Sequence, residues 1–349
     1  MNKSCTRQSQ HSLGTKTMNI SIRIIAITSC LSLLSLSSAS NAAEKDKAYV
    51  APKTEYGHPD LRGVWNFSSN TPLERPSQYA DKEFLTKEEV AKIEAQIIAR
   101  SEASDGADTG RGVGGYNQVW VESLAQGENL RTSLIVDPPN GRMPKMVPGA
   151  VVQRGGLGPD TPGERPVRFR VGGIAKNGPE DRGLSERCLM GFNSGPPFMP
   201  SMYNNNLQIF QNGDHVVLMT EMIHDARIVP IDDRPHLGDE LTQWSGDSRG
   251  RWDGDTLVVE TRNFTDKTQT FRSAGVASNM KLTERFTRVA DDRVEYSFTI
   301  DDPTTFTAPF TVLVPMVPAD GIFEYACHEG NYGMHNILAG ERKAEQDAQ

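Results

Sequence analysis

Apolar residues recur along this chain with two different periods, and the period changes near residue 203. Val90, Ile93, Ile97 and Ile98 fall three or four positions apart, on one face of a helix. Thr86 and Glu89 have the spacing of a capping box, and Leu85 with Val90 that of a hydrophobic staple. The pattern predicts an amphipathic helix over 86–102 that packs on a neighbouring surface. Beyond Tyr203 the period falls to two: Val294, Tyr296, Phe298 and Ile300 alternate with Glu295, Ser297 and Thr299, which gives a strand with one buried face. Strands are predicted over 61–67, 134–136, 207–211, 215–222, 227–231, 256–262, 282–289, 294–300, 310–314 and 322–327. Asn212-Gly213 is tight-hairpin chemistry, and Trp252-Asp253-Gly254-Asp255 is a turn feeding the 256–262 strand. No helical pattern separates the strands, which excludes a doubly wound parallel sheet. The expected fold is mainly β, an antiparallel β-barrel or strongly curved sheet, with the helix and long loops outside it.

Composition refines the boundaries. Lys3, Arg7, Lys16 and Arg23 precede the first acidic residue, Glu44, and an apolar run over 24–36 leads to Ser40-Asn41-Ala42. That is the plan of a removable secretory signal cut near Ala42, with Met18 as an alternative start. The run is shorter than the roughly 20 residues that span a bilayer, and no later stretch is long enough. Ile27-Thr28-Ser29-Cys30 loosely matches a lipoprotein site, but the apolar run continues past Cys30. The expected plan is a signal over 1–42, a loose leader over 43–60, one β-rich domain over 61–340 and a polar tail over 341–349. Within the domain, 149–200 is a long loop rich in Gly and Pro. The mature protein is expected in the periplasm or outside the cell. Loss of the four basic residues moves the formal charge from −8 to −12. An acidic chain without a basic stripe excludes nucleic acid as partner. Nothing in the sequence fixes an oligomeric state.

Two cysteines, Cys188 and Cys327, remain after cleavage, and an exported chain meets an oxidising compartment. A disulfide between them is predicted, the alternative being two separate buried thiols. It would hold His328 and Glu329 rigidly at a strand end.

Candidate chemistry gathers at two places. In Glu221-Met222-Ile223-His224-Asp225-Ala226-Arg227, an imidazole, carboxylates and a guanidinium end an apolar strand. His224 can move a proton near neutral pH, Asp225 can orient it, and Arg227 can hold an anion. In Cys327-His328-Glu329-Gly330-Asn331-Tyr332, His328 and Glu329 form a second such pair. The blander reading of both is a structural knot of satisfied polar groups. Glu221, Glu260, Asn205 and Tyr332 are the candidate ligand-binding residues, the glutamates because they interrupt apolar strands. No cofactor is expected. A metal centre would have to combine His224, His328 and Glu329 from different strands, since His335 is too far from His328 for HExxH. Gly110-Arg111-Gly112-Val113-Gly114-Gly115 has the spacing of a dinucleotide fingerprint but lacks the strand before and helix after, and reads as a loop. No GxSxG elbow is present.

Four blocks resemble a family of exported proteins of Gram-negative bacteria: Thr132–Arg142, Glu221–Pro230, Arg251–Phe264 and Tyr325–Met334. The resemblance covers most of the mature chain and implies export, but brings no activity with it. Gly63 and Trp65 also resemble the glycine-x-tryptophan opening of lipocalin-type barrels, which implies a lipocalin-like or calycin-like barrel. Together these readings predict acid–base chemistry, as a lyase, isomerase or hydrolase, on a small organic molecule or glycan fragment in a barrel cavity. The alternatives are a binding protein without turnover, and a structural or interaction protein of the envelope.

Overall fold

The computed structural model describes residues 49–79, 81–105, 131–151, 176–268 and 270–349. The expected signal over 1–42, the Gly110–Gly115 run and the 152–175 part of the long loop lie outside the described residues.

Among the described residues the chain is mainly β. In order come β1 (Gly63–Asn66), α1 (Lys87–Asp105), β2 (Ile135–Asp137), β3 (Asn206–Gln211), β4 (His215–Thr220), β5 (Ala226–Pro230), β6 (Asp247–Asp253), β7 (Thr256–Arg262), β8 (Lys281–Ala290), β9 (Arg293–Asp301), β10 (Phe310–Pro318) and α2 (Tyr332–Asp347). The strands form one sheet in the order β5-β4-β3-β1-β10-β9-β8-β7-β6, with β2 also on β10. Every neighbouring pair is antiparallel. β1 meets β10 at Trp65↔Pro318, and β2 meets it at Thr311↔Asp137, so the two short strands lie along the same edge of β10.

The sheet curls until its end strands meet. A Cβ built on Gly250 of β6 would lie 2.9 Å from Val229 of β5 and 2.7 Å from Ile231 just after it. Arg227 Nη1 of β5 lies 3.5 Å from Ser248 Oγ of β6. No ladder joins β5 to β6 among the described residues, so the barrel is nearly closed and has a seam. The direction of the seam strands follows from counting. Eight antiparallel steps separate β5 from β6, so the two run the same way. A parallel neighbour cannot be reached by a tight hairpin, and the chain crosses between them through the 231–246 loop.

Alternation decides which side chains fill the barrel. Val294, Tyr296, Phe298 and Ile300 of β9 are all buried, and their partners Phe286 of β8 and Val312, Val314 and Met316 of β10 are buried too. Phe198, from the loop that precedes β3, joins this inner face, with its ring 5.4 Å from Tyr296 and 5.8 Å from Phe67. Several buried aromatic rings, each worth roughly 1.5–3 kcal/mol of transfer energy, make the inside a packed core. Among the described residues these rings occupy the space where a hollow was expected.

Other expectations need correction. The 247–253 strand was not foreseen, because two of its three inward positions are the small Ser248 and Gly250 and the third, Trp252, adjoins the Asp253-Gly254 turn. Residues 322–327 form no strand; the chain runs on in coil to a turn at the disulfide. The expected tail is the second half of α2. This helix is N-capped by Asn331 on Met334 N–H at 3.3 Å and buries none of its side chains. The capping box of α1 is present, with Thr86 N–H on Glu89 Oε2 at 2.8 Å and Glu89 N–H on Thr86 Oγ1 at 3.3 Å. Its apolar stripe is only half covered, however: Val90, Ile93 and Ile97 are half-buried and Ile98 is 58% exposed. Residues 52–60 fold back on themselves rather than trailing loosely, with Asp60 N–H on Pro52 O at 2.8 Å and Thr54 N–H on His58 O at 2.8 Å.

Candidate functional site

Inside the barrel one charged group survives among the rings. Glu284 of β8 is fully buried and accepts two hydrogen bonds from the Arg227 guanidinium, that from Nη2 at 2.9 Å. Tyr296 donates to the same carboxylate at 2.8 Å and accepts from Phe198 N–H at 3.1 Å. Arg227 also lies 5.4 Å from the centre of the Phe198 ring. Burial pushes the Tyr296 hydroxyl well above the ordinary tyrosine range, and the adjacent Glu284 charge adds to it. Burial disfavours the charge on Arg227, yet Glu284 more than offsets this and leaves its pKa above the usual value. The group is an internally neutralised ion pair, its carboxylate and both guanidinium amino groups bonded within the protein.

Where the seam opens, a cleft of about 600 Å³ lies between the end strands. Its walls are Asp225–Ile228 and Pro230 on one side and Asp247–Arg249 on the other, with Thr242–Gly246 across one end and Leu189 at the rim. Trp244 and the exposed Ile228 supply apolar surface. Charge is nearly balanced: Asp225, Asp247 and Glu284 stand against Arg227 and Arg249.

The loop that bounds the cleft is held by a second polar group. Asp247 Oδ2 is 2.7 Å from His236 Nδ1 and accepts Leu237 N–H at 3.0 Å, while Oδ1 accepts from Arg249 at 2.6 Å. Asn263 ties the loop from the other side, donating to Leu237 O and Gly238 O at 3.0 Å each. His236 Nε2 is buried and has no hydrogen-bond partner among the described residues.

The residues singled out from sequence occupy different settings. Asp225 and Arg227 line the cleft, but the anion-holding role expected of Arg227 is taken by Glu284. His224 is exposed on a turn after β4, in which Ile223 and His224 both have positive φ, 61° and 41°. Such values are costly for a β-branched residue. The turn is held by Thr220 N–H on Asp225 O at 2.9 Å and His224 N–H on Glu221 O at 3.2 Å. His328 and Glu329 are exposed beside the disulfide, and Tyr332 is 72% exposed at the start of α2. Among the described residues no three His, Cys, Asp or Glu side chains are grouped to hold a metal ion, so His224, His328 and Glu329 do not form the centre considered. Glu221 is buried but spent on the Asn204 and Asn206 amides, the former at 2.5 Å. Asn205 is a loop clamp, bonded to Ser201 N–H at 2.7 Å and Ser201 O at 3.0 Å. Glu260 sits on the outer face in an exposed pair with Arg251 at 2.7 Å.

The disulfide between Cys188 and Cys327 is present, with Cα atoms 5.9 Å apart. It joins the segment before β3 to the start of α2, where Asn331 donates to Glu186 O at 2.8 Å and Arg342 to Asn177 O at 3.0 Å. Sequence reading missed His236, Asp247 and Trp244, which acquire meaning from the parallel seam; Glu284 is legible in the sequence, with Glu221 and Glu260, as a charge within an apolar strand.

No family model matches the chain, and no curated protein matches it. Among solved structures it is similar to one described as a secretary abundant heat soluble (SAHS) protein from Ramazzottius varieornatus. The identity is 13%, over 33% of this chain and 70% of that one, with a TM-score of 0.22. A likeness so slight bears on neither architecture nor ligand.

Proposed function

We propose that this is an exported binding protein whose ligand site is the seam cleft, and that its ligand is a small, uncharged organic molecule rich in hydrogen-bonding groups. The cleft carries the reading: its volume of about 600 Å³ falls in the range of small-molecule sites, roughly 300–1,000 Å³. Its lining combines an aromatic ring, backbone edges and balanced charge, whereas the inside of the barrel is filled. The basic, apolar and small-residue sequence of 1–42, the resemblance of four blocks to exported proteins and the Cys188–Cys327 bridge all support export to the periplasm or beyond.

A second reading, acid–base catalysis, is favoured by one observation. His236, in the loop that bounds the cleft, is fixed by Asp247 at 2.7 Å, with its other ring nitrogen buried and without a partner among the described residues, the arrangement that orients an imidazole as a base. In this reading His236 takes the role first assigned to His224 and His328.

One screen tests both. A metabolite and glycan-fragment library is offered to the purified protein, with binding followed by ligand-observed NMR and product by mass spectrometry. A ligand should bind at least about tenfold more weakly to the Trp244→Ala and Asp225→Asn proteins, a loss of roughly 1.4 kcal/mol. A hit indifferent to both changes would place the site elsewhere. Turnover that disappears in His236→Gln while binding persists selects the enzyme; binding without product selects the binder.

A further inference from the structure

The seam has the topology of a sheet that lacks one strand. Nine strand positions alternate in direction from β5 round to β6, and the odd count leaves the two ends parallel. A tenth strand laid between them would be antiparallel to both, and every strand of the barrel would then have antiparallel neighbours on each side. We infer that the cleft takes a short peptide in extended conformation, by strand addition to β5, β6 or both. This rests on the seam cleft being the ligand site and names the ligand's class.

Three further observations carry it. First, the edges are unguarded where the cleft lies. Sheet edges are ordinarily blunted by proline, lysine or a covering element. In β5 the only proline is Pro230, which lines the cleft at its narrow end alone, and Ala226 and Ile228 leave the rest of the strand without a guarding charge, since Arg227 turns inward to Glu284. Second, the seam is a wedge. At Gly250 the strands are so close that a Cβ would stand 2.7 Å from Ile231, 2.9 Å from Val229 and 3.4 Å from Pro230 O, while the cleft walls are residues 225–228 and 247–249, with Pro230 where it narrows. Only the beginnings of the two strands are open, room for about four residues at roughly 3.3 Å each. Third, the polarity matches a backbone. Three carboxylates against two guanidiniums give no net attraction for an anion, whereas alternating N–H and C=O groups complement an unpaired edge. Trp244 and Ile228, the latter 63% exposed, offer apolar contact to side chains on the outer face of such a strand.

The test uses the purified protein and a pool of end-capped tetrapeptides randomised in their side chains. Bound members are recovered by ultrafiltration, sequenced by mass spectrometry and resynthesised. A recovered peptide should slow amide hydrogen exchange at least tenfold at 226–228 or 247–249. Its analogue N-methylated at alternate amides, unable to donate along one edge, should bind at least tenfold more weakly. An N-methylated analogue that binds as well as its parent, or a peptide that protects neither segment, overturns strand addition. Chitobiose, a disaccharide, is run in parallel. If it protects 225–228 and 242–249 while no peptide is recovered, the peptide inference fails and the cleft stands as a small-molecule site. Peptides and disaccharide that all leave these residues untouched overturn both readings.

Discussion

Glu284 and Arg227 show how much of this barrel's interior depends on a single charge pair. Neither ion could be carried inside alone, since removing one member of a buried pair leaves the other unpaired at a cost of about 3–5 kcal/mol. The Glu284 carboxylate is used to the full, accepting from both Arg227 amino groups and from Tyr296. Arg227→Met and Glu284→Leu should therefore each destabilise the protein by roughly 3–5 kcal/mol in chemical denaturation. Together they should cost well under the sum, because apolar replacements of similar volume are tolerated when both charges go. Additive losses would show that water, not the partner, satisfies these groups. The same pair accounts for why Arg227 does not wait for an anionic ligand: its anion is built in.

At the level of elements, what the sequence made legible was the apolar alternation. β7 coincides with the 256–262 prediction and β9 extends the 294–300 prediction by one residue at each end, because each carries large apolar groups at every second inward position. β6 was illegible because its inward Ser248 and Gly250 are small where β5 passes close by, which leaves Trp252 as its one large inward group. α2 was illegible because it is a polar helix that buries nothing and is held from outside by the disulfide and by Asn331. The candidate site was half legible. Asp225 and Arg227 stand out as polar groups at the end of an apolar strand, whereas His236 and Asp247 lie eleven positions apart across a loop with no periodicity, and only the fold pairs them. Gly250→Val tests the pinch that shapes the wedge. Its side chain would meet Val229 and Ile231 at under 3 Å, so a loss of about 1–3 kcal/mol is expected from overpacking, with faster hydrogen exchange along β5. Unchanged stability and exchange would mean that the end strands are not in contact there.

Across the whole molecule two meanders can be distinguished: β3-β4-β5, and β6 through β10. They are joined at the back by the four residues of β1, laddered to β3 on one side and to β10 on the other. The Cys188–Cys327 bridge closes a span of 139 residues that includes both meanders, a loop long enough for roughly 4–5 kcal/mol in the chain-entropy account. The Cys188→Ser/Cys327→Ser protein should lose up to that amount in urea unfolding, and exchange should quicken first in α2, which has no buried side chain of its own. An α2 as protected as before would show that its other contacts suffice. The unladdered seam gives the two meanders a freedom that a fully bonded cylinder lacks. A continuous ring can part only by giving up backbone hydrogen bonds, whereas here the bonds across the seam are made by the Arg227 side chain, to Glu284 and to Ser248. A swing of one flap against the other about β1 would leave every ladder intact, so the Arg227–Glu284 pair is the latch of a clasp that can open along one line.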